Sequence, residues 1–252
     1  MVDLQKASIL KRFAAWMIDA ILIGVLAVGI GFLLSLALRY DDYNKAVTDG
    51  YAKYEAQYDV VFNITQEEYL AMDEQVRQNY DTAYDALIAD EEVLYAYNMV
   101  VSLIMLIISL SLLGAVVLLD FFVPLCFKNG QTVGKKVFSL AVMRTDGVKL
   151  STLQLFARAV LGKFTVETMI PVYILLMIFW GTMGIVGLLV LIILFIVQAV
   201  LLVVTKTNAV LHDIIGCTVV VDYPSQRIFN STNELIEYTK RIHAENAARQ
   251  DY

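Results

Sequence analysis

The amino-acid sequence predicts an all-α membrane protein: a four-helix transmembrane bundle with an extracytoplasmic helical hairpin and a small cytoplasmic β element. Hydrophobic residues make up 59% of the 252 residues, and the mean hydropathy is +0.65. Soluble domains usually hold about 45–50% apolar residues. The hydrophobic residues are also gathered into blocks, several of them long enough to cross a hydrocarbon core of about 30 Å. Acidic and basic residues are segregated along the chain, which is a signal of membrane topology.

The N-terminus and first transmembrane helix are assigned to residues 1–38, with the span itself running from Phe13 to Leu38. This apolar run contains one charged residue, Asp19, and Arg12 comes directly before it. An aspartate inside a span is costly in free energy. Such residues usually face the bundle interior or a watery cavity, often at an ion or proton site. Arg12 and Asp19 lie about two helical turns apart and therefore share one face of the helix.

Residues 39–96 are predicted to form an acidic extracytoplasmic helical hairpin. They carry 14 acidic and 4 basic residues, a net charge of −10. Tyrosines and apolar residues recur at helical spacing in two runs, and Thr65 to Glu68 form a capping-box signature that starts the second run. We expect two antiparallel helices outside the membrane that can run on into the flanking spans. The tyrosine-rich face is interpreted either as the core of this hairpin or as a surface that binds a partner or ligand.

Residues 97–127 are predicted to hold the second transmembrane helix, from Tyr97 to Phe122. Asp120, near its inner end, is expected at the membrane interface, where it is solvated or capped by Lys128. Residues 128–163 follow with seven basic residues and one acidic residue. The positive-inside rule therefore makes them a cytoplasmic loop.

Two elements are expected inside this basic loop. The stretch from Val137 to Arg144 is rich in β-formers and precedes an Asp-Gly turn pair, which predicts a short strand. The stretch from Ser151 to Phe164 has apolar residues on one side and Arg158 and Lys163 on the other. That pattern predicts a helix lying in the membrane interface. The two glycines that open the loop are interpreted as part of a tight turn beside the membrane.

Residues 164–204 are almost wholly apolar and too long for one ordinary span. A Trp-Gly-Thr-Met-Gly break over residues 180–184 predicts two helices, the third and fourth spans, joined by a tight outer turn. Four spans place both termini on the cytoplasmic side. Residues 205–252 then form a cytoplasmic C-terminal segment, in which a strand ending near Asp222 is expected to pair with the strand of the basic loop. A capping signature at Ser231 starts a polar last helix.

Three separated motifs line up at the two ends of the membrane domain. They are Arg12-x6-Asp19, Gly130-Gln-Thr-x-Gly134-Lys135, and Leu211-His212-Asp213 followed by Gly216-x-Thr218. In order and context they resemble the RDD family of bacterial membrane proteins, which is named for one arginine and two aspartates. The resemblance implies that Arg12, Asp19 and Asp213 are the family residues and that the chain lies in the bacterial cell (inner) membrane. It further implies transport of unidentified ligands and, in some members, cation/proton antiport.

Two functions are open for these residues. In the first, the chain is a transporter or antiporter of monovalent cations and protons, with an ion or proton site formed by Asp19, Arg12 and Asp213. We expect Arg12 to pair with Asp213, and the three charges are interpreted either as structural or as functional. Four helices enclose little volume, so a transport path is expected to need a homo-oligomer. In the second function, the chain is a non-catalytic membrane scaffold or accessory subunit that binds a partner through the outer hairpin.

Enzymatic activity is not expected from this sequence. His212 and His243 have no obvious nucleophile or metal partners, and His212 is interpreted as a turn or capping residue. Cys126 and Cys217 stand apart from each other, whereas zinc sites use four clustered ligands. No cofactor, metal or nucleic-acid partner is predicted. The expected partners are the lipid bilayer, monovalent cations and protons.

Overall fold

The computed structural model describes residues 4–127, 129–171, 173–174, 177 and 184–250. Most of these residues are helical. Among them, three helices are long and apolar enough to cross a membrane, namely Ile9–Ala37, Glu91–Phe127 and Gly187–Val204. Residues 172, 175, 176, 178 and 179 of the predicted third span lie outside the described residues, as does most of the break expected over residues 180–184.

The helices and strands are divided between two compact units. In chain order they are α1 (Ile9–Ala37), α2 (Tyr40–Tyr58), α3 (Gln66–Ala71), α4 (Glu74–Ala89), α5 (Glu91–Val116), a first π segment (Val117–Phe122), α6 (Val123–Phe127), α7 (Val133–Val137), β1 (Leu140–Arg144), α8 (Thr152–Phe156), a second π segment (Ala157–Glu167), α9 (Gly184–Val204), α10 (Leu211–Ile215), β2 (Thr218–Asp222) and α11 (Thr232–Gln250). The first unit comprises the residues up to Val28 and from Ser111 onward, and the second comprises Gly29–Leu110.

A two-stranded antiparallel sheet holds part of the core of the first unit. β1 pairs with β2 so that Val142 lies opposite Val220, which confirms the pairing predicted for these two segments. Both faces of the sheet are apolar, and its central residues are buried. One face packs on Ala7 and Ala15, and the other packs on Ile228. An isolated two-stranded sheet is marginally stable in water, so burial of both faces is what stabilises this one.

Two π-helical segments interrupt the regular helices of the first unit. The first π segment continues α5, and the second continues α8. A π-helix closes its hydrogen bonds over five residues instead of four, which changes the faces onto which its side chains project. The predicted interfacial helix placed Arg158 and Lys163 on the side opposite its apolar residues, but both side chains are largely buried in the structure. Arg158 is only 5% exposed, and Lys163 contacts a buried carboxylate.

The second unit contains an antiparallel helical hairpin. Lys53 of α2 pairs with Asp90 at the end of α4 at 2.9 Å, while Asn79 of α4 donates a hydrogen bond to the carbonyl oxygen of Tyr58. Aromatic rings pack edge to face around Phe62, and its partners are Tyr51, Tyr80 and Tyr84. These contacts favour the interpretation of the tyrosines as the core of the hairpin.

Helix boundaries in both units are set by identifiable caps. Arg39, with a φ of 56°, separates α1 from α2, and Asp90 separates α4 from α5, so the hairpin helices do not continue into the flanking spans. The predicted capping box is confirmed, because the Thr65 hydroxyl accepts a hydrogen bond from the Glu68 backbone N–H and the Glu68 carboxylate accepts one from the Thr65 backbone N–H. Ser231 accepts a hydrogen bond from a backbone N–H in the first turn of α11 at 3.2 Å.

Candidate functional site

Buried charges gather in the first unit. Among the described residues they comprise four carboxylates, four basic side chains and one histidine: Asp19, Asp120, Glu167 and Asp213; Arg12, Lys135, Arg158 and Lys163; and His212. We call this set the charge cluster. Every side chain in it is 19% exposed or less. Burying an unpaired charge is very costly in free energy, and each member of the cluster contacts at least one opposite or polar group.

Asp213 is the most deeply buried member of the charge cluster, with a fully inaccessible side chain. Arg12 lies 2.7 Å from its Oδ2, as the sequence predicted, and Arg158 lies 2.8 Å from its Oδ1. Burial acts to raise the pKa of Asp213, but Arg158, His212 and Arg12 outweigh it and hold that pKa well below its ordinary value. Asp213 therefore stays ionised at physiological pH, where it serves as a fixed counter-charge.

Arg12 pairs with Asp213, whereas Asp19 binds the loop around α7. The Asp19 carboxylate accepts hydrogen bonds from the Thr132 hydroxyl at 2.5 Å and from the Gly134 N–H at 2.8 Å. Thr132 also caps the N-terminus of α7. The Gly-Gln-Thr-x-Gly-Lys motif is thus the partner of the intramembrane aspartate, and only its first glycine, at residue 130, takes a turn conformation.

Gly134 lies inside α7 and serves a close approach between helices. A Cβ atom at this position would lie 2.1 Å from the carbonyl oxygen of Ala15 in α1. Only glycine lets the backbone of α7 come near enough to α1 for its N–H to reach Asp19. The interpretation of this glycine as part of a tight turn is therefore wrong.

Lys135 is a buried lysine that ends the Gly-Gln-Thr-x-Gly-Lys motif but was not predicted as a site residue. Its Nζ lies 3.8 Å from the Asp19 carboxylate and donates to the Thr132 hydroxyl at 3.2 Å. Burial lowers the pKa of Lys135 to about 7, helped by the positive charges of Lys163 and Arg158 and opposed by Asp19 and Asp120. A lysine in this environment exchanges a proton with its surroundings close to neutral pH.

Asp120 is buried and pairs with Lys163 across the two π segments. Its Oδ1 lies 2.6 Å from the Lys163 Nζ. The expectation that Asp120 is solvated is wrong, and Lys128, its alternative expected partner, lies outside the described residues. The second π segment brings Lys163 to the carboxylate, which no local pattern in the sequence indicates. Within the described part of the chain, the other oxygen, Oδ2, is buried and receives no hydrogen bond.

His212 joins the remaining carboxylate to the cluster. Its Nδ1 lies 2.6 Å from Glu167 Oε1, and its backbone N–H donates to the same oxygen at 3.1 Å. Burial lowers the pKa of His212, with Arg158 acting in the same direction and Asp213 and Glu167 acting against it. The ring is therefore a buried link between two acidic groups as well as a residue of the first turn of α10.

The cluster unites the three residues predicted from the sequence with six others. Arg12 and Asp213 are in direct contact, whereas Asp19 reaches the same cluster through Lys135. The missed bases all come from the basic loop, whose charges the positive-inside rule assigns to solvent. One signal was available, since Arg158 and Lys163 interrupt an otherwise apolar stretch. In the residues that the structure describes, no three His, Cys, Asp or Glu side chains are grouped to hold a metal ion.

The fold and the site together define a helical membrane protein whose buried ion pairs join its first helix to helices distant in sequence. The chain belongs to the RDD family, and the family match covers residues 6–216. This range contains every member of the charge cluster. No curated protein and no solved structure matches the chain.

Proposed function

We propose that the protein is a membrane transporter that exchanges a monovalent cation for a proton at the charge cluster. The observation that supports this most is the burial of Lys135 beside Asp19, with a pKa of about 7 for the lysine. Ionisable groups inside a membrane domain are costly and often mark ion or proton pathways. A transport path through so few helices would be formed by a homo-oligomer.

The charge balance of the cluster couples the two ions. Four carboxylates face four basic side chains, so the cluster is neutral when all four bases are protonated and His212 is neutral. When Lys135 loses its proton, one negative charge remains in a poorly solvated environment. Charges attract more strongly there than in water, so an incoming cation restores the balance. Cation entry thereby favours proton release, and the reverse also holds.

The three family residues take different parts in this proposal. Asp213 stays ionised between two arginines and holds α10 against α1. Asp19 lies beside Lys135, the group that exchanges the proton, and its negative charge interacts directly with the charge of the lysine. Thr132 positions both groups, since its hydroxyl donates to Asp19 and accepts from the Lys135 ammonium.

Replacement of Asp19 by asparagine is expected to abolish exchange while the fold is kept. Asparagine retains a carbonyl oxygen that can accept from Gly134, but it removes the negative charge next to Lys135. In proteoliposomes with a pH-sensitive dye, imposed Na⁺, Li⁺ or K⁺ gradients should move protons with the wild type and not with Asp19→Asn. The matched control is Asp146→Asn, an exposed aspartate of a surface ion pair, which should transport normally. Equal flux in Asp19→Asn and the wild type would contradict the proposal.

The stability of the protein is expected to rise with pH above neutrality because of Lys135. The unfolded chain keeps this proton up to the ordinary lysine pKa of 10.5, whereas the folded chain releases it at about 7. Between these values the unfolded state binds more protons, so the free energy of unfolding increases with pH. Lys135→Met should remove that dependence in detergent-purified protein followed by thermal unfolding. Lys136→Met, at the exposed neighbouring lysine, should leave it in place; identical pH profiles for all three proteins would contradict the assignment.

A membrane scaffold that binds a partner through the hairpin is the second candidate. It is favoured by a cleft of about 370 Å³ in the second unit, lined by Tyr43, Asp42, Glu92 and Tyr95. Tyr95 is 60% exposed beside it. No ion flux from the wild type, together with a defined partner that the full-length chain loses on Tyr95→Ala, would favour this function over transport.

A further inference from the structure

Asp120 and Lys163 form a buried ion pair whose two members come from different π segments. The Lys163 Nζ lies 2.6 Å from Asp120 Oδ1, with the lysine side chain 14% exposed and the aspartate side chain 4% exposed. π-Helical turns within longer helices are rare and frequently occur at functional sites. Here the two π segments bring the Asp120 carboxylate and the Lys163 ammonium into contact in a buried position.

The carboxylate of Asp120 is only half satisfied. An ionised carboxylate has two oxygens that each accept hydrogen bonds, but Oδ2 is buried and has no donor within the described residues. A buried charged oxygen without a partner leaves its cost of desolvation uncompensated. Oδ2 is therefore an unpartnered oxygen on a side chain that is more than nine-tenths buried and whose other oxygen binds a member of the charge cluster.

The charges around Asp120 specify what can bind there. Lys163 contributes one unit of positive charge by direct contact, and Lys135 and His212 also act on Asp120 electrostatically. Hard metal cations prefer oxygen ligands. A monovalent cation brings one positive charge, which loss of the Lys135 proton balances, whereas a divalent cation would leave an excess of one.

We propose that Asp120 is the cation-binding carboxylate of the charge cluster and that the Lys163 ammonium takes the place of a monovalent metal cation when none is bound. This inference rests on the proposed exchange function, to which it adds the position of the cation. Cation binding at Asp120 moves the Lys163 ammonium away from Oδ1, and Oδ2 becomes a ligand of the cation. The proton on Lys135, which repels a second positive charge, then leaves more readily.

The test is the thermal stability of the purified full-length protein in detergent with LiCl, NaCl or KCl. N-Methylglucamine chloride keeps the ionic strength constant. Lys163→Met removes the internal cation, so at least one of the three metal ions should raise its unfolding temperature more than that of the wild type. Asp120→Asn should show no ion-specific rise. The matched control is Lys11→Met, which removes a lysine from the exposed pair with Asp222 and should respond like the wild type.

A charge-conserving variant keeps the proposal testable if Lys163→Met fails to fold. Arginine presents a planar fork that binds both oxygens of one carboxylate, so Lys163→Arg should satisfy Oδ2 internally. We expect this protein to fold and to lose the ion-specific rise that the wild type shows. An equal rise in the wild type and in both Lys163→Arg and Asp120→Asn overturns the site, as does the absence of any rise in the wild type and Lys163→Met.

Flux measurements separate this inference from the function on which it rests. Exchange by the wild type that is unchanged in Asp120→Asn leaves the exchange function standing and overturns Asp120 as its cation site. An Asp120-dependent rise in stability without any flux supports the cation site and overturns the exchange function.

Discussion

Replacing Asp213 by asparagine is expected to lower the free energy of unfolding by about 3–5 kcal/mol, the usual cost of removing one partner from a buried ion pair. In the wild type, the guanidinium groups of Arg12 and Arg158 both lie within 2.8 Å of the Asp213 carboxylate. The substitution leaves these two groups buried without that counter-charge. It also removes the contact that ties α10 to α1. Thermal or denaturant unfolding of the purified protein in detergent measures the loss.

Asp222→Asn is the control for this prediction. Asp222 also pairs with a basic residue of α1, Lys11, at 2.7 Å, but the two side chains are 25% and 47% exposed. Exposed pairs contribute about 0–1 kcal/mol, so this variant should remain close to the wild type. If both variants lost the same small amount of stability, the Asp213 ion pairs would not be the principal contact between α1 and α10.

Replacing Gly134 by alanine is expected to destabilise the protein by about 1–3 kcal/mol or more, as overpacking of a tight contact usually does. The new Cβ would lie 2.1 Å from a backbone oxygen of α1, which no side-chain rotation can relieve. α7 must then move away from α1, and the Gly134 N–H loses Asp19. The yield and unfolding temperature of the purified protein should fall, and exchange activity should fall with them.

The control for the glycine substitution is Gly24→Ala in α1. A Cβ atom at Gly24 would meet no atom within 4 Å among the described residues, and alanine favours helix over glycine by about 1 kcal/mol. This variant should keep the stability of the wild type or gain slightly. A loss in Gly24→Ala as large as that in Gly134→Ala would mean that the close approach at Ala15 is not the cause.

Local patterns in the sequence were sufficient for the elements whose determinants are local. The capping box at Thr65, the separate strands around Val142 and Val220, and the first span each follow from residue type and spacing within one segment. The contact between Arg12 and Asp213 was also predicted, because both were placed at the same membrane surface.

The rest of the charge cluster was not predictable by the same means. Periodicity arguments assume 3.6 residues per turn, and the π segments depart from that geometry where they carry Asp120 and Arg158. Lys163 pairs with a carboxylate 43 residues away, a distance over which spacing contains no information. Charge counting also treats every lysine of a basic loop as solvated, which is wrong for Lys135 because its partner lies inside a span.

The length of chain between Arg12 and Asp213 has a consequence for biogenesis. The two residues are 201 positions apart, so α1 enters the bilayer long before the ribosome has made its counter-ion. During that interval Arg12 lacks Asp213, whereas Asp19 lacks its partners only until residue 135 has been made. Any truncation upstream of α10 would leave Arg12 without this counter-charge permanently, so such fragments should be less stable in the membrane than the full-length chain.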